Sequence, residues 1–119
     1  MVSTLMSLEG LALVKACREL ALDKKAVDPV ILDLNGLNGP AEWFLICSGE
    51  SDPQLKAIAM AIEVGLKQDH NTRPEKIDGK SVSQWIILDY GSVLVHVMHE
   101  SKRDYYKLEK LWSDAPRVN

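Results

Sequence analysis

The residues of this chain that could do chemistry fall into a few small groups. The turn Ser48-Gly49-Glu50-Ser51 stands between an apolar run and a helical pattern, where free backbone N–H groups can hold a phosphate. It lacks the spacing of GxxxxGKS/T or GxGxxG, so a tight strand-to-helix turn is the stronger reading. A Gly-Ser turn ahead of a helix also occurs in nucleotidyl-transfer folds, whose next strand carries two magnesium-binding carboxylates. Here that strand has no Asp-x-Asp pair; Glu75 and Asp78 lie near it with the wrong spacing, beside a turn. His96 and His99 are three residues apart in a strand pattern, which puts them on opposite faces, and no Cys or carboxylate completes a metal set. Packing or surface roles suit them better. Ser48 has no base that the sequence identifies. The expectation is no catalytic residue, no cofactor and no metal.

The elements that would position these residues can be read from periodicity. A helix is expected from about Thr4 to Leu22, with Leu13, Cys17, Leu20 and Ala21 on its apolar side and Gly10 as a weak point. Val30 to Leu34 reads as a strand, with Pro29 suited to its first residue or to an edge. Trp43-Phe44-Leu45-Ile46-Cys47 is the continuous apolar run of a strand covered on both faces. Ser51 and Gln54 resemble a capping box opening a helix over roughly Pro53–Asp69, with Leu55, Ile58, Ala59, Ile62 and Leu66 as its stripe. A short strand near Glu75 to Ile77 is followed by strands Gln84–Leu88 and Ser92–Met98, joined by Asp89-Tyr90-Gly91 as a hairpin connection. A last helix is expected over Ser101–Trp112, with Tyr105, Leu108, Leu111 and Trp112 on one side. The order gives an α/β or α+β fold, a mixed β-sheet flanked by helices.

Length and composition bound the function. The 119 residues fit one domain, 1–119, and the 46% hydrophobic and 26% charged composition is that of a globular protein. A net charge of -3 argues against a broad cationic face for nucleic acid. No apolar run reaches the ~20 residues of a membrane span. The N-terminal MVSTLMSLEG has neither the order of a secretory signal nor the character of a transit peptide. Two cysteines, Cys17 and Cys47, are too few for a disulfide framework and fit a reducing compartment, the cytoplasm.

Only 6% of residues are aromatic, so their placement is informative. Trp43, Phe44 and Trp112 fall on core positions. Trp85 and Tyr90 flank Ile86-Ile87-Leu88 near the two ends of a strand, with Tyr90 in a connection where side chains tend to face water. From position alone, two readings stand equal: anchors for a partner, or residues that finish the core.

The segment from Trp85 to Met98, WIILDYGSVLVHVM, resembles the signature of the ribosomal silencing factor family, also called the Iojap family. Glu42 to Ser51, EWFLICSGES, and Arg103 to Trp112, RDYYKLEKLW, followed by Asp114-Ala115-Pro116, resemble two further blocks of that family in the same order. The likeness runs from about Leu11 to Pro116. Ser92 and Glu42 depart mildly, standing where an acidic residue and Asp are common.

This resemblance implies a nucleotidyltransferase-like fold without the catalytic carboxylates, and a translational repressor that is not an enzyme. Its implied partner is the large ribosomal subunit, through the ribosomal protein numbered fourteen on the inter-subunit face, with minor rRNA contact. Docking there would block small-subunit joining and silence translation under nutrient limitation. Large-subunit assembly is the alternative role, and a homodimer is implied for the free protein. The partner-binding residues it implies are Trp85, Asp89, Tyr90 and Gly91, with Arg103 a weaker candidate that a cap or an internal ion pair would explain equally well.

Overall fold

The structure is a computed structural model that describes residues 8–119. Expectations for residues 1–7, including most of the N-terminal leader reading, lie outside the described residues; Leu8 and Glu9 are not helical, so the first helix opens at Gly10, later than the expected start near Thr4. The chain order is α1 (Gly10–Leu22), β1 (Val27–Asp33), β2 (Trp43–Gly49), α2 (Asp52–His70), β3 (Lys76–Asp78), a 3₁₀ turn (Ser81–Ser83), β4 (Trp85–Asp89), β5 (Val93–His99), α3 (Glu100–Tyr106), α4 (Leu108–Leu111) and β6 (Arg117–Val118). The six strands form one mixed sheet in the order β3-β4-β5-β2-β1-β6. Only the central β2–β5 pair is parallel.

The sheet has two unlike faces. Alternating residues Leu45, Cys47, Ile86, Leu88, Val93, Val95 and Val97 point to one side, where α1 and α2 bury Leu13, Val14, Cys17, Leu55, Ile58, Ile62 and Leu66 against them. The other side carries Val30, Leu32, Phe44, Ile46 and Met98, closed by Ala115 and by Leu108 and Trp112. Because β2 is covered on both sides, its run of apolar residues needs no alternation, and every residue after Trp43 is buried.

Local signals explain most boundaries. The Ser51 hydroxyl accepts from the Gln54 N–H at 3.2 Å, capping α2 as expected, and Pro53 sits in its first turn. The reciprocal half of the capping box is displaced by one residue, since Gln54 Oε1 accepts from the Glu50 N–H at 2.7 Å. Asn71 ends α2 in the left-handed region. Pro29 lies inside β1, where the pairing to β2 shifts register between Val27 and Val30, so its missing N–H leaves no gap in the ladder.

The C-terminal segment corrects the sequence reading. One helix from Ser101 to Trp112 is replaced by α3 and α4, broken at Lys107 with φ 51. Arg103 Nε donates to Glu109 Oε1 at 2.8 Å, an i,i+6 pair that a continuous helix would hold on different sides. Breaking the helix lets that pair form and turns Leu108 and Trp112 onto the sheet. The expected apolar face is thereby split: Tyr105 and Leu111 stand 77% and 74% exposed. The strand β6, which pairs with β1, gave no signal in the sequence.

Candidate partner-binding surface

Strand β4 positions Trp85 and Asp89, and its side-chain alternation decides which face each residue serves. Trp85, Ile87 and Asp89 face the half-covered side, while Ile86 and Leu88 face α1 and α2. Tyr90 follows in the second register. Its side chain is 7% exposed and belongs to the core under α1 and α2, so the expectation that it faces water is corrected. The Tyr90 hydroxyl is buried without a hydrogen-bond partner among the described residues. Burial, with smaller contributions from Cys17 and Glu63, raises its pKa above the ordinary tyrosine range.

The Tyr90–Gly91 turn is held by one side-chain and one backbone acceptor. The Gly91 N–H donates to Asp89 Oδ1 at 2.8 Å and the Tyr90 N–H to the Val93 carbonyl at 2.8 Å. Gly91 has φ +82, the positive angle expected of it, and a Cβ there would collide with the Glu75 carboxylate. Asp89 closes β4, opposite Leu94 of β5 and Lys76 of β3, so it belongs to the strand and not to the connection. Asp89, Tyr90 and Gly91 therefore cluster at one end of the sheet. Trp85 stands at the other end of β4, roughly 13 Å away by strand rise.

Trp85 is held from behind. Its indole Nε1–H donates to His96 Nδ1 at 3.1 Å, and the two rings lie 6.0 Å apart. His96 is 5% exposed, and burial lowers its pKa to about 4, so at neutral pH the ring is uncharged and its Nδ1 is free to accept. The proton then sits on Nε2, a buried atom with no partner among the described residues. The rings continue inward, with Phe44 4.7 Å from His96 and Trp112 6.0 Å from Phe44. They continue outward too: Tyr106 lies 5.0 Å from Trp85, and Tyr105 5.0 Å from Tyr106. Six rings thus run from the second core to solvent, with Trp85 where the file emerges.

Arg103 is committed internally. Its side chain is 10% exposed, donates to Glu109, to the Val27 carbonyl at 3.1 Å and to the Ser48 hydroxyl at 2.9 Å, and lies 3.8 Å from Asp28. It ties α3 and α4 to β1 and β2, the internal ion pair that the sequence left open as one reading. The cleft it lines, about 580 Å³, gathers Arg103, Lys107, Lys110 and Arg117 with Asp28, Glu100, Asp104 and Glu109. Equal numbers of cations and anions leave no net charge to hold a phosphate.

The remaining chemical groups are accounted for by structure. His99 caps the start of α3 by accepting from the Ser101 N–H, and its other ring nitrogen meets the Glu50 carbonyl at 3.2 Å. Cys17 and Cys47 are buried free thiols, each pushed up to about 12 by burial, which suppresses the reactive thiolate. No described helix is long and apolar enough to cross a membrane. Sequence reasoning missed the part played by His96 and the two tyrosines. The adjacent Tyr105-Tyr106 pair was the available signal, and helical periodicity assigned Tyr105 to the core.

Comparison with known proteins bears on the whole chain. A sequence profile described as ribosomal silencing factor during starvation matches residues 7–119. A ribosomal silencing factor from Bacillus subtilis is 44% identical over 94 residues, covering 79% of each chain. A mouse protein named for mitochondrial assembly of the ribosomal large subunit is 35% identical over 75 residues, 60% of this chain and 32% of that one. A crystal structure of a protein from Chromobacterium violaceum superposes with a TM-score of 0.83 at 32% identity, covering 89% of this chain and 88% of the other.

Proposed function

The chain belongs to the ribosomal silencing factor family, and from that premise we propose that it represses translation by docking on the large ribosomal subunit and obstructing the small one. The contact is the ribosomal protein numbered fourteen, on the inter-subunit face, with rRNA at the margin. Docking a folded body there needs one interface of ordinary size, near 800 Å² per partner, and no chemistry. The protein acts in the cytoplasm, and the free form is a homodimer. Family membership is the observation that carries this reading.

The docking residues are Trp85, Asp89 and the Gly91 turn, on the side of the sheet that α3 and α4 leave half covered. Trp85 suits an anchor because the His96 acceptor fixes its indole before any partner arrives, so little rotamer freedom remains to be lost. Tyr90 and Arg103 serve this surface indirectly, by seating the turn and by seating α3. The test is pelleting with purified large subunits. Trp85→Ala is expected to lose binding while keeping its circular dichroism spectrum, and undiminished binding by the folded variant would overturn the patch assignment.

A second reading has its own support in the mouse relative's name, which makes that protein an assembly factor for the large subunit. The two roles separate on one question: whether added protein inhibits the joining of mature subunits.

A further inference from the structure

The connection between β1 and β2 carries two Asn-Gly steps, Asn35-Gly36 and Asn38-Gly39, and the fold treats them differently. Asn35 is tied down. Its Nδ2 donates to Asp33 Oδ1 at 2.8 Å and to the Glu42 carbonyl at 3.5 Å, and its backbone N–H donates to the same Asp33 oxygen at 2.9 Å. Asn38 is exposed, and its side-chain amide has no hydrogen-bond partner among the described residues. Neither Gly36 nor Gly39 donates its N–H to a described residue, so the two asparagine side chains make the difference. In both steps the glycine offers no side chain to hinder its nitrogen from approaching the asparagine Cγ.

We propose that Asn38 is a site of spontaneous deamidation, a covalent modification that Asn35 resists, and that the modified loop loses its contact with Trp112. The Gly39 nitrogen gives its proton to hydroxide and forms a bond to Asn38 Cγ. The Cγ–Nδ2 bond breaks, and Nδ2 takes a proton from water and leaves as ammonia. Water then opens the five-membered succinimide at either carbonyl. Opening at Cγ leaves aspartate at position 38. Opening at the main-chain carbonyl leaves isoaspartate, whose main chain runs through Cβ and Cγ. In sum, one amide and one water become one carboxylic acid and one ammonia. At Asn35 two side-chain hydrogen bonds must break first, which slows the same reaction about tenfold.

The two products act differently on the fold. Gly39 is closely packed: a Cβ there would stand 3.2 Å from Leu34 Cδ1 and 3.4 Å from Trp112 Cη2. The extra main-chain atom of isoaspartate, one residue earlier, displaces Gly39 from that contact with the second core. Aspartate adds only charge, next to Glu42 in the cleft of about 470 Å³ that the loop shares with Gly91 and Ser92.

The experiment incubates the full folded chain at mildly alkaline pH and maps the change from amide to acid by fragmentation in a mass spectrometer. Conversion is expected at Asn38 about tenfold faster than at Asn35, with aspartate and isoaspartate both formed. It should quicken as pH rises, because the Gly39 nitrogen must lose its proton. Unfolded in urea, the same chain should convert both sites at similar rates, since the hydrogen bonds of Asn35 are then gone. Equal rates in the folded chain, or a faster Asn35, overturn the selectivity. An Asn38 that stays intact in the folded chain while it converts in urea overturns the site. The converted fraction, isolated by ion exchange and shown by enzymatic carboxyl methylation to hold isoaspartate, is expected to melt about 4 °C below Asn38→Asp. That variant has the charge without the extra atom. Equal melting would overturn the loss of the Trp112 contact.

Discussion

Trp85 and Tyr90 lie five positions apart on one stretch of chain, yet they belong to different regions of the molecule. Tyr90 is sealed under α1 and α2, in the layer where nineteen-residue α2 and thirteen-residue α1 cover the sheet. Trp85 lies on the side where, among the described residues, the helices are short, of seven and four residues. A sheet with one face closed and one half closed separates two tasks. The closed face holds the larger core, and on the docking reading the half-closed face would present Trp85 to the partner. The alternation of one β-strand is enough to send neighbouring aromatics to opposite tasks.

Substituting the two aromatics in parallel tests this division most strongly. Tyr90→Ala is expected to destabilise by about 3–5 kcal/mol through the cavity it leaves, measured by urea unfolding. Trp85→Ala is expected to cost roughly half as much and to lose large-subunit binding. Equal losses of stability would break the comparison.

Arg103 tests whether the half-closed face depends on its staple. Arg103→Ala removes the nearer partner of Glu109, which keeps Arg117 at 3.7 Å, and leaves the Ser48 hydroxyl only its bond to the Val27 carbonyl, for an expected cost of about 2 kcal/mol. Exchange of amide hydrogens in α3 should speed up before exchange in α1 does, and uniform acceleration would deny the staple a local role.

Acid tests the same face through His96. Its folded pKa of about 4 lies below the ordinary 6.5, so the unfolded chain binds more protons between these values. The penalty is absent above pH 6.5 and grows as pH falls towards 4. Between pH 7 and pH 5 this residue alone should cost about 2 kcal/mol of stability. His96→Gln keeps a hydrogen-bond acceptor for Trp85 but does not titrate in this range, so its unfolding free energy should change less between those pH values. An identical slope in both proteins would remove His96 as the cause.

The smallest expected effect belongs to the turn. Gly91→Ala is strained at φ +82 and crowds Glu75, with an expected cost of about 1–2 kcal/mol by thermal unfolding. No loss of stability would mean that Glu75 and the turn relax freely.

Much of this division was legible in the residues. The unbroken run from Trp43 to Cys47 announced a doubly covered central strand, and the Ser51 cap announced α2. What could not be read was which way an aromatic at a strand end would turn. Tyr90 follows the strand by one residue, and continuing the alternation past Asp89 would have placed it under the helices. Its position in a hairpin connection argued for solvent, and burial won. The α3–α4 break was hidden because Leu108, Leu111 and Trp112 satisfy a helical stripe, whereas the force that breaks it is a contact between Arg103 and β1, β2 and Glu109. Helical periodicity carries no information about partners 76 and 55 residues away in sequence. The aromatic file was invisible for the same reason, since His96 meets Trp85 only through strand pairing.

The central claim is that the half-covered face docks on the large subunit and keeps the small one away. Its most direct test is subunit reassociation in the presence of the purified protein, resolved on a sucrose gradient, with Trp85→Ala as the matched control. The account predicts that the parent protein holds the subunits apart and that the folded Trp85→Ala variant lets them join. Joining that proceeds undiminished with excess parent protein bound to the large subunit would contradict it.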